Sequence, residues 1–252
     1  MNQSAVNLET TCYRRFTLKA AWELAAPRTW SAAISPVLIG GAFALATGAV
    51  PLALNARLIV IWVCMLITSV LMQSAANALN DYKDFISGTD DASNAYDPTD
   101  ASIIYNAVNP KCALQLCVGL LVAAAICGTV VVMLSSAIIA VIGAVAALTV
   151  VFYSAGPRPI SYLPLSETVS GIVMGGFITF ATSYALSGVL DVRCMLVALP
   201  AILCIGLIMQ TNNTCDVIRD ARVGRVTIPI LLGAKRSIAI MTTLACALVC
   251  GI

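Results

Sequence analysis

The chain of 252 residues contains no histidine, and only 10% of its residues are charged. The lack of histidine excludes His-ligated zinc sites, Ser-His triads and His proton shuttles. Its ten cysteines form no Cys-x-x-Cys pair and stand singly, mostly inside apolar runs. We therefore interpret them as small apolar helix residues in a reducing setting. Any catalysis must use Asp, Glu, Lys, Arg, Tyr or a hard metal ion.

The shortage of charge indicates an all-α integral membrane protein. Soluble domains carry about 25% charged residues, whereas 60% of this chain is hydrophobic. Apolar runs of about 20 residues, enough to cross a ~30 Å hydrocarbon core, recur along it. They predict helices near 29–50, 58–80, 112–133, 137–155, 165–188, 192–214 and 236–252.

Two parts of the chain are expected to differ in their relation to the bilayer. Residues 1–28 are polar and predict a cytosolic or interfacial segment. Residues 29–252 predict the transmembrane domain. Its last apolar run reaches Ile252 without a polar cap or a flanking charge, so we expect the chain to stop within a helix.

The basic residues set the orientation. Of the 14 Lys and Arg residues, all but Arg57 and Arg193 fall in the N-terminal segment and in alternate loops on the same side. By the positive-inside rule that side is cytosolic. Most of the acidic residues lie there as well, which favours a functional site on that face.

Two acidic segments on this side each follow an apolar run directly. The first is Asn77-Ala-Leu-Asn80-Asp81-Tyr-Lys83-Asp84, continued by Gly88 and Asp90. The second is Asn213-Thr-Cys-Asp216-Val-Ile-Arg219-Asp220, continued by Gly224 and Arg225. Ionisable residues inside a bilayer cost roughly 2.5–3.5 kcal/mol each on insertion scales, so such clusters indicate a bound cation. The shared order of helix, amides and carboxylates suggests two related halves.

The spacing of the acids predicts a magnesium site. Asp81 and Asp84 fall on one helix face, as do Asp216 and Asp220, and opposing carboxylates would repel one another without a cation. Mg²⁺ takes oxygen ligands from a few carboxylates together with substrate phosphates. The predicted metal ligands are Asp81, Asp84, Asp90, Asp216 and Asp220. Nearby positive charge would come from Lys83, Arg219, Arg222 and Arg225, whereas Asp91, Asp97 and Asp100 are interpreted as solvated loop residues.

These motifs resemble those of the UbiA-like intramembrane aromatic prenyltransferases. The first segment is most similar to that of the 1,4-dihydroxy-2-naphthoate prenyltransferases of menaquinone biosynthesis. A third stretch, Tyr153-Ser-Ala-Gly-Pro-Arg158-Pro-Ile with Glu167 beyond it, resembles that branch's Tyr-x-x-Gly-Pro-Arg-Pro-Leu. Gly224-Arg225-x-Thr227 likewise resembles its Gly-Lys-x-Thr. The chain departs from the family at Cys215 and Ala221, where arginines are common, and Arg219 and Arg222 are expected to substitute.

The resemblance implies a fold and a reaction. The fold is a nine-helix bundle around a lipid-open cavity, of which this chain supplies about seven helices. The reaction is Mg²⁺-dependent transfer of a polyprenyl group from polyprenyl diphosphate to 1,4-dihydroxy-2-naphthoate, giving demethylmenaquinone with loss of CO₂ and diphosphate. The expected partners are these two substrates and the lipid bilayer, with no nucleic acid, and the expected location is the cell membrane.

The resemblance also implies roles for individual residues. The expected catalytic residues are Asp81, Asp84, Asp216 and Asp220. The expected substrate-binding residues are Asn77, Asn80, Lys83, Tyr153, Arg158, Asn213, Arg219 and Arg225. Among these, Arg158 would pair with the acceptor carboxylate, and Tyr153 would stack on its ring or stabilise the prenyl cation.

Three alternatives stay open at this point. Another aromatic acceptor, such as 4-hydroxybenzoate, homogentisate or a porphyrin-type ring, would fit the same diphosphate site. A cation transporter with Asp-lined sites belongs to a different class, and predicts acids deep in mid-helix with a polar path to both faces. A degenerate chain without catalysis is the third.

Overall fold

The computed structural model describes residues 13–53, 55–92 and 101–251, and the regular structure in these ranges is helical. In chain order the helices are α1 (Leu18–Ala25), α2 (Ser31–Ala46), α3 (Ala56–Ser87), α4 (Ser102–Tyr105), α5 (Pro110–Leu134), α6 (Ile138–Ser154), α7 (Ser166–Ser170), α8 (Ile178–Ser187), α9 (Cys194–Val197), α10 (Leu199–Cys215), α11 (Val217–Arg222), α12 (Ile228–Leu232) and α13 (Ala234–Gly251). A π-helical segment, Gly171–Phe177, joins α7 to α8. Short 3-10 turns occupy Pro27–Thr29 and Ile160–Tyr162.

Helices occur at all seven predicted positions, and the prediction of an all-α membrane bundle is confirmed. In the described part of the chain, α3, α5 and the run Ser166–Ser187 are long and apolar enough to cross a membrane. A fourth span results if Leu18–Thr29 and Ser31–Ala46, which meet at a bend of 51°, count together. α6 is a shorter apolar helix. Among the described residues, fewer helices than the predicted seven therefore meet the length and composition of a membrane span.

The central helix α3 has clear sequence signals at both ends. Asn55 caps its N-terminus, where the side chain accepts a hydrogen bond of 3.0 Å from the amide of Leu58. Gly88 ends it in the left-handed conformation, with φ of 74°, which other residues adopt only at a steric cost. The helix thus extends beyond the apolar run predicted at 58–80, and it carries the first acidic segment on its last turns.

The bundle closes around α3. This helix packs against α2, α5 and α6, while α10 packs against α7, the π-helical segment and α13. A buried apolar cluster that includes Val37, Ile61, Met65, Val131 and Tyr184 fills the end of the bundle near the start of α3. The acidic residues lie at the opposite end of that helix, where two smaller apolar clusters that include Leu79 and Ile103 pack beside them.

One close helix contact depends on Gly175. A Cβ atom at this position would meet the backbone of Ala201 and Ile202, so the absence of a side chain lets α10 approach the π-helical segment. We expect Gly175→Ala to lower the free energy of unfolding by about 1–3 kcal/mol, because overpacking forces the two helices apart. Thermal unfolding of the purified protein in detergent measures this effect.

The matched control is Gly119→Ala on α5. A Cβ atom there has no neighbour within 4 Å, and Ala is the better helix former. This variant should be as stable as the unmodified protein or slightly more stable. Equal losses in the two variants would contradict the assignment of Gly175 to a close helix contact.

Candidate active site

The turn after α3 folds the first acidic segment back on itself. The carbonyl oxygen of Asp84 accepts hydrogen bonds of 3.0 Å from the Thr89 amide and 3.2 Å from the Asp90 amide. The left-handed Gly88 makes this turn possible. Asp84 and Asp90 are both buried, at 8% and 7% exposure. Two carboxylates separated by six positions in the chain therefore share one end of the bundle.

The carboxylates of α3 are held by hydrogen bonds from neighbouring side chains. Asn80 donates a hydrogen bond of 2.8 Å from Nδ2 to Asp84 Oδ2. The Oδ1 atom of Asn80 accepts a hydrogen bond of 3.2 Å from Ser154 Oγ on α6. Asp81, one turn before, accepts hydrogen bonds from the side chain and backbone of Ser102. These contacts fix the carboxylates of α3 against two other parts of the fold.

The second acidic segment lies at the break between α10 and α11. Asp216 occupies that break, and Asp220 follows one turn later and is 1% exposed. Burial raises the pKa of the Asp220 carboxyl, and the neighbouring Arg225 guanidinium offsets part of this rise. Burial alone would lower the pKa of Arg225, but Asp84 and Asp220 outweigh it and raise that pKa overall.

Two arginines join the acidic segments, and we call Arg219 and Arg225 the bridging arginines. Arg225 forms ion pairs with Asp84 of the first segment and, at 2.9 Å, with Asp220 of the second. Arg219 pairs with Asp216 at 2.7 Å and with Asp90 of the first segment at 3.5 Å. Each bridging arginine therefore contacts one carboxylate from each segment.

The carboxylates are arranged in pairs rather than in one group. Within residues 13–53, 55–92 and 101–251, no three His, Cys, Asp or Glu side chains lie close enough together to hold a metal ion. Four of the five predicted metal ligands, Asp84, Asp90, Asp216 and Asp220, are instead arranged as two pairs, each around one guanidinium. Mg²⁺ commonly binds one or two carboxylates together with substrate phosphates. The pairs fit a metal ion that is bound jointly by one or two carboxylates and a diphosphate.

A long cavity of about 1620 Å³ extends from this cluster. Its wall includes Asp84 and Met65, which lie toward opposite ends of α3. At a helical rise of 1.5 Å per residue these two positions are about 28 Å apart. Between them the wall is mostly apolar and is supplied by α3, α5, α6, α8 and α10. The site thus combines charged side chains at one end with a chamber suited to an apolar chain.

Most of the predicted site residues meet at this cavity. The lining includes Asn77, Asn80, Asp81, Asp84, Asp90, Tyr153, Asn213, Asp216, Arg219 and Arg225. Asp220 lies outside this lining, and so do Lys83, Arg158 and Arg222. Arg158 and Arg222 are exposed, so of the two expected substitutes for the family's arginines only Arg219 reaches the site. Asp97 and Asp100 lie outside the described residues.

Two of the predicted substrate-binding amides contact the protein itself. Asn77 donates hydrogen bonds of 3.1 Å to the carbonyl oxygen of Ala25 and 2.9 Å to Thr29 Oγ1. Asn213 donates one of 2.8 Å to Glu167 Oε1. Asn77 therefore ties α3 to the N-terminal segment, and Asn213 ties α10 to α7.

Three further residues were not assigned to the site from the sequence. Glu167 is buried at 3% exposure, Arg28 lines the cavity, and the ring of Tyr162 lies 5.1 Å from the Arg225 guanidinium carbon. In the sequence, Arg28 contributes only to the positive charge that sets the orientation, and Glu167 belongs only to the third motif. The contacts of Glu167 with Asn213 and of Tyr162 with Arg225 join segments far apart in the chain, which residue spacing does not encode.

The chain matches known proteins over most of its length. Residues 33–252 match the UbiA prenyltransferase family. The 1,4-dihydroxy-2-naphthoate octaprenyltransferase of Bacillus subtilis is 30% identical over 220 residues, which cover 87% of this chain and 68% of that protein. UbiA prenyltransferase domain-containing protein 1 of Danio rerio is 28% identical over 243 residues, which cover 95% of this chain and 67% of that protein.

The fold has a counterpart among solved structures. A UbiA homologue from Archaeoglobus fulgidus bound to GPP and Mg²⁺ is similar with a TM-score of 0.66 and 15% identity, over 91% of this chain and 75% of that chain. The helical fold is thus shared at low identity. With the family match over residues 33–252, this chain belongs to the UbiA prenyltransferase family.

Proposed function

We propose that this prenyltransferase moves a polyprenyl group from a polyprenyl diphosphate to 1,4-dihydroxy-2-naphthoate, with Mg²⁺ at the diphosphate. The observation that carries the proposal is the pair of acidic segments, joined by Arg219 and Arg225, at one end of a long apolar cavity. A lipid diphosphate needs both a charged end and an apolar chamber. The proposed acceptor, 1,4-dihydroxy-2-naphthoate, is the one in the name of the Bacillus subtilis relative, which is 30% identical to this chain.

The oxygen donors of the site fit Mg²⁺ held together with substrate phosphates. Asp81, Asp84, Asp90 and Asp216 line the cavity, and one or two of them would hold the ion together with the substrate phosphates. Bound there, it would neutralise charge that develops on the leaving diphosphate. Asp220 is buried and pairs with Arg225, so we assign to it the positioning of that guanidinium.

The chain's own residues would support departure of the diphosphate. The allylic C–O bond of the donor breaks, and the diphosphate leaves with the electron pair. Arg219 and Arg225 line this part of the cavity, where guanidinium groups stabilise phosphate oxygens. The allylic cation remains in the apolar chamber, which excludes water and so protects the cation from hydrolysis.

The acceptor then completes the reaction. Its ring carbon forms a C–C bond to the cation, the bond from that carbon to the carboxylate breaks, and CO₂ leaves while the electron pair returns to the ring. Tyr153 lines the cavity and would stack on this ring. We assign the acceptor carboxylate to Arg28, because Arg28 lines the cavity and the exposed Arg158 does not.

We place the acidic end of the bundle on the cytosolic side of the cell membrane. The proposal rests on the distribution of Lys and Arg, which concentrates on the side of the acidic segments. Donor and acceptor would then enter from the cytosolic leaflet and the cytosol.

An acceptor panel tests the proposal. The purified full chain with Mg²⁺ and one polyprenyl diphosphate is given 1,4-dihydroxy-2-naphthoate, 4-hydroxybenzoate or homogentisate, and the products are identified by mass spectrometry. We expect the naphthoate to be preferred by at least about tenfold in kcat/KM, with a product that has lost CO₂. Preference for another ring would overturn the acceptor while leaving prenyl transfer in place.

A further inference from the structure

Glu167 is a buried carboxylate that the proposed reaction does not use. It lies on α7, is 3% exposed, and is absent from the cavity lining. Across the described residues no Lys or Arg forms an ion pair with it, although four neighbouring carboxylates are paired in this way. A buried carboxylate is costly unless hydrogen bonds satisfy its oxygens. The hydrogen-bond partners of Glu167 therefore indicate its role.

The carboxylate of Glu167 joins the two ends of one functional segment. Its Oε1 atom accepts hydrogen bonds of 2.8 Å from Asn213 Nδ2 and 3.2 Å from the Ile228 amide. Its Oε2 atom accepts one of 3.0 Å from Ser166 Oγ. Residues 213–228, closed into a loop by these contacts, contain the second acidic segment and both bridging arginines.

The same segment has a second attachment near Arg225. The amide of Val226 donates a hydrogen bond of 3.1 Å to the carbonyl oxygen of Tyr162, and the Arg225 guanidinium lies over the Tyr162 ring. Tyr162 and Glu167 belong to one short stretch between α6 and the π-helical segment. This stretch therefore holds the segment near Arg225 as well as at Asn213 and Ile228.

We propose that Glu167 is a positioning residue whose carboxylate fixes residues 213–228 so that Asp216, Arg219 and Arg225 are preorganised to bind a diphosphate. The diphosphate part of this inference rests on the proposed function. Losing a buried hydrogen bond leaves its donor unsatisfied, so the bonds from Asn213 and Ile228 hold both ends of the segment. Preorganised ligand groups lose less free energy on binding than groups that must first be ordered. Glu167 thus acts on substrate through the segment that it holds.

Two substitutions separate hydrogen bonding from other roles. In Glu167→Gln the amide oxygen can still accept from Asn213 and Ile228, while its NH₂ group donates to the Ser166 hydroxyl. In Glu167→Asp the side chain is shorter by one methylene, roughly 1.5 Å, and cannot reach both donors. A positioning role predicts near-normal diphosphate binding and hydrogen exchange for Glu167→Gln, and weaker binding with faster exchange for Glu167→Asp.

The control is Gln210→Met on α10, one turn before Asn213. Gln210 is buried at 6% exposure and donates a hydrogen bond of 3.1 Å to Ser237 on α13. Its side chain does not line the cavity. Its backbone carbonyl accepts a hydrogen bond of 2.7 Å from Thr214 Oγ1 of the second acidic segment, and this contact and the 2.9 Å contact between Thr214 and Ser237 remain available in the variant. This variant reports the effect of losing a buried interhelical hydrogen bond elsewhere on the same helix.

Two readouts are measured on the full chain in detergent. The first is the Mg²⁺-dependent Kd for a prenyl thiolodiphosphate, an analogue that cannot be transferred. The second is hydrogen exchange at the Ile228 amide, which needs no ligand. We expect Glu167→Asp to weaken binding by about tenfold and to speed exchange by a similar factor. Glu167→Gln and Gln210→Met should stay within about threefold of the unmodified protein in both.

Each outcome decides the inference. Unchanged exchange in Glu167→Asp, or an equal change in Gln210→Met, overturns it, since the segment would then not depend on this carboxylate. A defect in Glu167→Gln as large as in Glu167→Asp also overturns it, because charge rather than hydrogen bonding would matter. If the unmodified protein fails to bind the analogue with Mg²⁺, the proposed function fails, and the exchange measurement alone still decides whether Glu167 holds the segment.

Discussion

Asp84→Asn is expected to lower Mg²⁺-dependent prenyl transfer by about 10²–10³-fold, the scale seen when a preorganised stabilising group is removed from an active site. Asp84 accepts from Asn80 and pairs with Arg225 at the charged end of the cavity. The amide keeps the size of the side chain and much of its hydrogen bonding, but it removes the negative charge that a metal ion requires. The loss should therefore appear in turnover more than in folding.

Asp191→Asn provides the control for Asp84→Asn. Asp191 forms an exposed ion pair with Arg193 at 2.6 Å, away from the cavity lining. Exposed pairs of this kind contribute little to stability, so this variant should retain full activity. Both variants are assayed for prenylated product at saturating Mg²⁺. Full turnover in Asp84→Asn would contradict the assignment of Asp84 as a ligand of the metal ion.

Arg225→Met should produce the largest loss of stability, about 3–5 kcal/mol, because removing one member of a buried ion pair leaves its partners uncompensated. Asp84 and Asp220, which both pair with Arg225, are 8% and 1% exposed. The methionine side chain can fill the space but supplies no charge or hydrogen bond to either carboxylate. Chemical unfolding of the purified protein measures the change.

The double variant Arg225→Met with Asp220→Asn makes this prediction specific. Since Asp220 pairs with Arg225 at 2.9 Å, neutralising it should restore part of the lost stability, and the two effects should not be additive. Arg193→Met, which breaks the exposed pair with Asp191, should leave stability unchanged. A double variant less stable than Arg225→Met alone would contradict the account of these buried charges.

The sequence predicted the helices because apolar runs of spanning length are a strong local signal, but two of them depart from a regular helix. The run predicted at 165–188 contains the π-helical segment Gly171–Phe177, where Gly171 and Gly175 lie against the backbone of α10. The run predicted at 192–214 is divided into α9 and α10, with Pro200 in the first turn of α10, where proline is tolerated. The π-helical segment thus reflects contacts between helices, whereas the division into α9 and α10 occurs at a local sequence feature, Pro200.

The candidate site was predictable only in part. The spacing of Asp81 and Asp84, and the glycine after them, located the first segment on a helix end correctly. The partnership of Arg225 with Asp84 was not predictable, since it joins positions 141 residues apart that meet only in the folded bundle. The same holds for Glu167 and Asn213, where the hydrogen bond spans 46 residues. Local patterns identified the charged groups, and the tertiary fold determined how they pair.

The most direct test of the account is an assay of the purified full chain with a labelled polyprenyl diphosphate and 1,4-dihydroxy-2-naphthoate, with and without Mg²⁺. The account predicts that prenylated product and diphosphate form in equal amounts, and only when the metal ion is present. Product that forms equally well after chelation would contradict it, as would diphosphate release that leaves the naphthoate unprenylated.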